Sequence, residues 1–103
     1  MISELKKESL LDLDGKSTAI FLEVKAPKVV VLQGFFELYE GLGLVRTIDI
    51  RQSLIALLTP NSMLENCLEC LEQIQEEIEW KPAQCPEDIN ADNYFSILHR
   101  SKK

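Results

Sequence analysis

Leu44-Val45-Arg46-Thr47-Ile48-Asp49-Ile50, then Arg51-Gln52, then Ser53-Leu54-Ile55-Ala56-Leu57-Leu58-Thr59 is the stretch on which the fold turns. Two runs rich in apolar and β-branched residues flank a two-residue polar break. That break is too short for anything but a tight connection, so the runs are expected to pair as an antiparallel hairpin. The second run, Leu54–Leu58, is apolar at every position. A strand of that kind is covered on both faces.

Downstream, Pro60–Ile78 predicts a helix. Leu64, Cys67, Leu68, Leu71, Ile74 and Ile78 recur every three or four residues as one apolar stripe. Thr59 before Pro60 is expected to cap it, and Ser62-x-x-Glu65 resembles a capping box one register later. Ile78–Ala83 around Trp80 reads as a short last strand, confined to a sheet edge by Pro82. Cys85-Pro86-Glu87-Asp88 reads as a turn or linker. Asn90–His99, with Tyr94, Phe95, Ile97 and Leu98, reads as a short helix, and Arg100–Lys103 is expected to fray.

Upstream, Pro27–Leu42 carries two opposed signals. Val29-Val30-Val31 favours a strand, whereas Leu32, Phe35, Phe36 and Tyr39 share one helical face. Pro27 suits a first helical turn, Gly41 and Gly43 suit an end, and sixteen residues are long for a strand. A helix is therefore expected, with Gly34 placed to let it approach a sheet closely. Thr18–Lys25 reads as a strand, with Ile20, Leu22 and Val24 on one face and Phe21 on the other. Met1–Lys16 is weakly patterned and is read as a lead-in that Asp14-Gly15 ends.

The order strand, helix, strand, strand, helix, strand predicts an α+β fold. It is the ferredoxin-like βαββαβ sandwich, a four-stranded antiparallel sheet with two helices on one face and a C-terminal extension. Residues 1–17 form the lead-in, 18–84 the domain and 85–103 the extension. Phe21 and one side of Leu54–Leu58 then point away from the helices. That second face is expected to be covered by Tyr94–Leu98, by another subunit, or by both.

The composition bounds the function. The 103 residues carry 17 acids against 11 bases, a net charge of −6. Glu65, Glu69, Glu72, Glu76, Glu77 and Glu79 all lie between Pro60 and Glu79, where no Lys or Arg occurs. The rest of the chain is balanced, so the charge belongs to one helix face. Clustered Lys and Arg, which a nucleic-acid clamp or an anionic-membrane binder needs, are missing. No apolar run approaches the length of a membrane span. Glu4, Glu8, Asp12 and Asp14 break any secretory apolar stretch, and the three cysteines are an odd number. A reducing cytoplasm is the expected location.

Phe35-Phe36-Glu37-Leu38-Tyr39-Glu40-Gly41-Leu42-Gly43-Leu44-Val45-Arg46-Thr47-Ile48-Asp49 resembles the signature of a small bacterial family of uncharacterised ACT-like domains. That signature is a Glu, two residues, Glu-Gly, a short apolar run, then Arg-Thr-x-Asp. The likeness spans roughly Thr18 to Lys81. It implies a regulatory ferredoxin-like module but supplies no activity. ACT domains that bind amino acids usually carry an acid-x-Pro-Gly turn between first strand and helix. Lys25-Ala26-Pro27-Lys28 keeps the Pro but puts Lys at the acid and Gly positions, which argues against amino-acid binding.

Arg46, Thr47 and Asp49, with Glu37 and Glu40, are the candidate ligand-binding residues. Arg46 offers a bidentate donor to a carboxylate or phosphate, and Glu37 and Glu40 stand three apart as paired carboxylates. On strand alternation Thr47 and Asp49 share a face and Arg46 takes the other. The competing structural reading has Asp49 closing the hairpin and Arg46 pairing with Glu37 or Glu40. Glu65, Glu69, Glu72 and Glu76 are the candidate partner-binding residues, against the commoner role of a solvated face. Cys67-Leu68-Glu69-Cys70 has redox spacing but sits inside a predicted helix rather than opening one. Cys67 is expected in the core with Cys70 flanking it. Cys85 and His99 complete no recognisable zinc spacing. Gly41-Leu42-Gly43 follows a helix, the reverse of a phosphate loop. No catalytic residue, metal or cofactor is expected. The expectation is a non-enzymatic module that self-associates through its open sheet face as a homodimer or higher oligomer. The alternatives are an adaptor docking a basic protein through the acidic helix, then a small-molecule or catalytic domain using Arg46 and Asp49.

Overall fold

The structure, a computed structural model, describes residues 7–39, 41–87 and 89. After a 3-10 turn, Lys7–Ser9, come β1 (Leu10–Leu13), β2 (Ser17–Glu23), α1 (Ala26–Glu37), β3 (Leu44–Asp49), β4 (Leu54–Pro60), α2 (Leu64–Ile78) and β5 (Lys81–Pro82). Every pairing is antiparallel. The sheet runs β1-β2-β4-β3, and β5 joins the same side of β2 as β1, farther along it. The fold is α+β, and its β5-β2-β4-β3 path with two helices is compatible with the ferredoxin-like arrangement.

The lead-in contains a strand that periodicity did not single out. Leu10–Leu13 pairs with Ser17–Ile20 and makes the sheet five-stranded rather than four-stranded. The missed signal is Asp14-Gly15. Both residues have positive φ, 60° and 70°, the requirement of a tight hairpin turn. Asp12 accepts a hydrogen bond from the Gly15 N–H at 3.0 Å. Asn61 then ties this turn to the end of β4: its N–H donates to the Lys16 carbonyl at 2.8 Å, and its Nδ2 donates to the Gly15 carbonyl at 3.0 Å.

The central hairpin forms as expected, but Ile50 and Ser53 leave the strands, and the two-residue break becomes a four-residue connection with a 3-10 turn at Ile50–Gln52. Asp49 accepts from the Arg51 N–H at 3.0 Å, so this carboxylate does close the hairpin. β3 also carries a bulge. Thr47 is registered with Ile55 and Asp49 with Leu54, which leaves Ile48 as the extra residue.

The helical layer lies on one face. Ile20, Leu22, Val24, Ile55 and Leu57 of the sheet pack with Leu32 and Phe36 of α1 and with Cys67, Leu71, Ile74 and Ile78 of α2. Trp80 completes this core, fully buried, and its Nε1–H donates to the Leu71 carbonyl at 2.7 Å. The helix ends differ from expectation. A 3-10 turn, Asn61–Met63, precedes α2, and its N-cap Met63 makes no side-chain cap. Thr59 is not a cap; buried, it donates to the Leu42 carbonyl at 2.8 Å and pins the α1–β3 connection to β4. α1 stops at Glu37 rather than Leu42, because Leu42 must turn back into the core. Gly43 follows where the chain runs against β4: a Cβ there would meet the Leu57 side chain and the Leu58 carbonyl, both at 3.1 Å.

The second face is not open at its centre. Ala19, Phe21 and Ala56 have 0% exposure. They cluster with Leu13, Ile48, Leu54 and Ile89, with Ala83 and Cys85 packed alongside. The chain's own C-terminal extension therefore contributes cover through Cys85 and Ile89. The expected helix Asn90–His99, with Tyr94–Leu98, lies outside the described residues.

Candidate functional site

β3 distributes its polar residues instead of gathering them. Val45 and Thr47 are registered with Leu57 and Ile55, which pack under the helices; Arg46 is registered with Ala56, on the other face. The bulge then moves Asp49 opposite Leu54, whose side chain belongs to the second face. Thr47 and Asp49 consequently do not share a face, as simple alternation requires. A bulge adds one residue and resets the alternation beyond it. The Asp49 carboxylate is engaged with the Arg51 N–H and lies 3.9 Å from the Arg51 guanidinium. Arg46 is exposed and donates from its guanidinium to the Val45 carbonyl at 3.1 Å. Among the described residues it forms no ion pair, with Glu37 or any other acid. Glu37 is exposed at the far end of α1, and Glu40 lies outside the described residues. The four described residues, Arg46, Thr47, Asp49 and Glu37, are thus not brought together into a charged constellation.

Of these four described residues, Thr47 lines a concavity. It opens onto a depression of about 220 Å³ between the start of α1, the end of β2 and the β3–β4 turn. The lining is apolar apart from Gln33, Thr47 and Ser53, none of which is charged. Ser53 stands in the left-handed region at φ 57°, and its carbonyl accepts from the Val24 N–H at 2.8 Å. This tie holds the turn against the β2 end. Sequence reading passed over Gln33 and Ser53, because neither lies in a motif; the turn geometry brings them beside Thr47. An uncharged amphiphile suits such a surface, whereas a zwitterionic amino acid finds no counter-charge in its lining. That agrees with the Lys25 and Lys28 departures.

The acids of α2 form a solvent-facing side, with Glu65, Glu69, Glu72 and Glu76 all exposed opposite the buried stripe. The end of this helix is electrostatically unfavourable: Glu76, Glu77 and Glu79 cluster at the negative pole, and no basic residue lies in the last turn. Lys28 of α1 relieves part of this, its Nζ donating to the Glu77 carbonyl at 3.2 Å. Glu79 ends the helix in the left-handed region at φ 58°.

The cysteines follow the core reading. Cys67 has 0% exposure, and burial pushes its thiol up to about 12, partly opposed by a hydrogen bond with Thr59. Burial also raises the half-buried Cys70, with the Glu69 charge adding to it. A redox CxxC needs the opposite shift. Among the described residues no disulfide joins Cys67, Cys70 or Cys85. Among the described residues no group of three or more His, Cys, Asp or Glu side chains is placed to hold a metal ion. Nor is any described helix long and apolar enough to cross a membrane.

A family model described as a domain of unknown function, DUF4911, matches residues 22–78, more than half of the chain. The chain belongs to that family. No curated protein and no solved structure matches it.

Proposed function

We propose that this member of the DUF4911 family is a non-enzymatic interaction module that works by self-association. One observation carries the reading. Large apolar side chains stand exposed together on and beside α1: Val30, Val31, Leu38 and Tyr39 on the helix and just after it, and Ile50 beside its first turns. A monomer gains nothing from presenting them to water. The dispersal of Arg46, Thr47, Asp49 and Glu37 supports a non-catalytic role. With the second sheet face buried at Phe21 and Ala56, association through the sheet gives way to association through the helical side. The element order shared with ACT-like domains supports a regulatory role, and an odd number of cysteines with no disulfide among the described residues supports a reducing, cytoplasmic setting. Light scattering from 5 to 200 µM tests the reading. The expected result is a reversible rise in mass above the monomer, and a constant monomer mass over that range overturns it.

A second reading is favoured by the acidic pole of α2, where three glutamates worsen the helix-end electrostatics. Such a surface is stabilised by a basic partner. Changing Glu69, Glu72 and Glu76 to Lys should abolish capture of that partner, and undiminished capture refutes the docking surface.

A further inference from the structure

Between Lys28 and Glu37, α1 contains no charged residue. The inward positions Leu32 and Phe36 are buried, yet the outward positions are just as apolar. Val30 is 69% exposed, Val31 53% and Leu38 79%. A surface helix ordinarily turns a polar face to water. At the middle of this outward face stands Gly34, exposed and with open space around it: a Cβ added there would meet nothing within 4 Å. The expected close approach of Gly34 to the sheet is therefore not what occurs. A mid-helix glycine costs about 1 kcal/mol against alanine, and packing within the chain offers no return for it.

The spacing around Gly34 is symmetric. Val30 lies four residues before it and Leu38 four after, so the three stand in one row along the helix. We infer that α1 is an interface between two copies of this chain, crossing antiparallel at Gly34 about a two-fold axis. In that arrangement Val30 of each copy meets Leu38 of the other, the reciprocal contact that a two-fold interface requires. Gly34, having no side chain, lets the helix backbones approach closely.

Charge selects the occupant. Each copy carries a net −6, with six acids between Pro60 and Glu79, so two copies repel wherever those acids meet. The outer face of α1 is free of them. Among the described residues a basic partner would find on that face Glu37 alone, at the helix end, and would favour the run of acids on α2. The area is consistent with a reversible contact. The exposed parts of Val30, Val31, Leu38, Tyr39 and Ile50 amount to roughly 500 Å² per copy, about 1,000 Å² for the pair and at the low end of specific interfaces.

The inference rests on the self-association proposed above and names its surface, and the test separates the two. The full chain and its Val30→Lys, Leu38→Lys and Gly34→Cys variants are compared by light scattering over 5–200 µM. The Gly34→Cys variant and the wild type are also oxidised in parallel. Each Lys variant should weaken association at least tenfold, because it carries a charge into the contact. Gly34→Cys should form an intermolecular disulfide well above the wild-type background, since the crossing brings the two residues within bonding range. This cross-link remains informative where a Lys variant fails to fold. A wild type that associates, with Lys variants that associate equally and no excess cross-link, overturns the α1 interface and leaves self-association standing. A wild type that is monomeric throughout overturns both.

Discussion

Gly34→Ala separates what the fold needs from what association needs. The residue lies inside α1 with a backbone that alanine adopts freely, and beyond the helix's own neighbouring backbone its added methyl would meet no heavy atom within 4 Å. No overpacking therefore opposes the substitution. Two effects favour it: alanine is the better helix former by about 0.8–1 kcal/mol, and it reduces the conformational freedom of the unfolded chain. Because the position is exposed, almost no burial energy enters. For a domain of this size the gain corresponds to a rise in melting temperature of roughly 4–8 °C. The assay is thermal unfolding followed by far-ultraviolet circular dichroism at about 1 µM, with urea unfolding as a second measure. Low concentration matters, because association stabilises the folded state by mass action and would favour the wild type as protein is added. The advantage of the variant should accordingly shrink as concentration rises toward 200 µM. An unchanged or lower melting temperature at 1 µM would refute the argument, since it would mean that Gly34 meets a constraint within the monomer.

Three other outcomes follow from single observations. Trp80→Phe should destabilise by about 2–3 kcal/mol in urea unfolding, because it removes the buried 2.7 Å indole bond to the Leu71 carbonyl and opens a void in the core; a loss below 0.5 kcal/mol would show that the contact is dispensable. Glu79→Gly should raise stability by about 1 kcal/mol, since glycine adopts φ near 58° without the penalty a side chain meets there; destabilisation in the same assay would contradict that strain argument. Cys67, held at about 12 against an ordinary 9.0, should stay unreactive toward a thiol reagent at pH 8 in the folded chain and react on unfolding. Its folded pKa is raised, so its contribution to stability is complete below pH 9 and is lost as pH climbs toward 12; stability that rises across that window would reverse the sign.

Local pattern made much of the fold legible. The alternation of Ile20, Leu22 and Val24 against Phe21 placed β2 correctly between two cores. The stripe Cys67, Leu71, Ile74 and Ile78 identified α2 and its inward face. Pro82 at the edge beside β2 followed from its missing N–H. β1 was obscured because Leu10–Leu13 is only four residues long, and its one strong signal was the Asp14-Gly15 turn rather than periodicity.

The candidate site was far less readable, and the reason is geometric. A strand's faces follow from its residue numbers only while the ladder is regular. The bulge at Ile48 broke that regularity and parted Asp49 from Thr47. The depression beside Thr47 draws Gln33 from α1 and Ser53 from the hairpin turn, residues that no spacing relates.

By itself the sequence determined the order of elements from β2 to β5, the acidic side of α2 and the absence of charge along the middle of α1. These are consequences of side-chain periodicity and charge, which each segment carries locally. Only the tertiary structure decided that the second sheet face is closed at Phe21, that Thr59 ties a loop instead of capping a helix, and that Gly34 faces outward. Those outcomes depend on which segments meet, and hydrophobic burial selects that meeting over the whole chain rather than residue by residue.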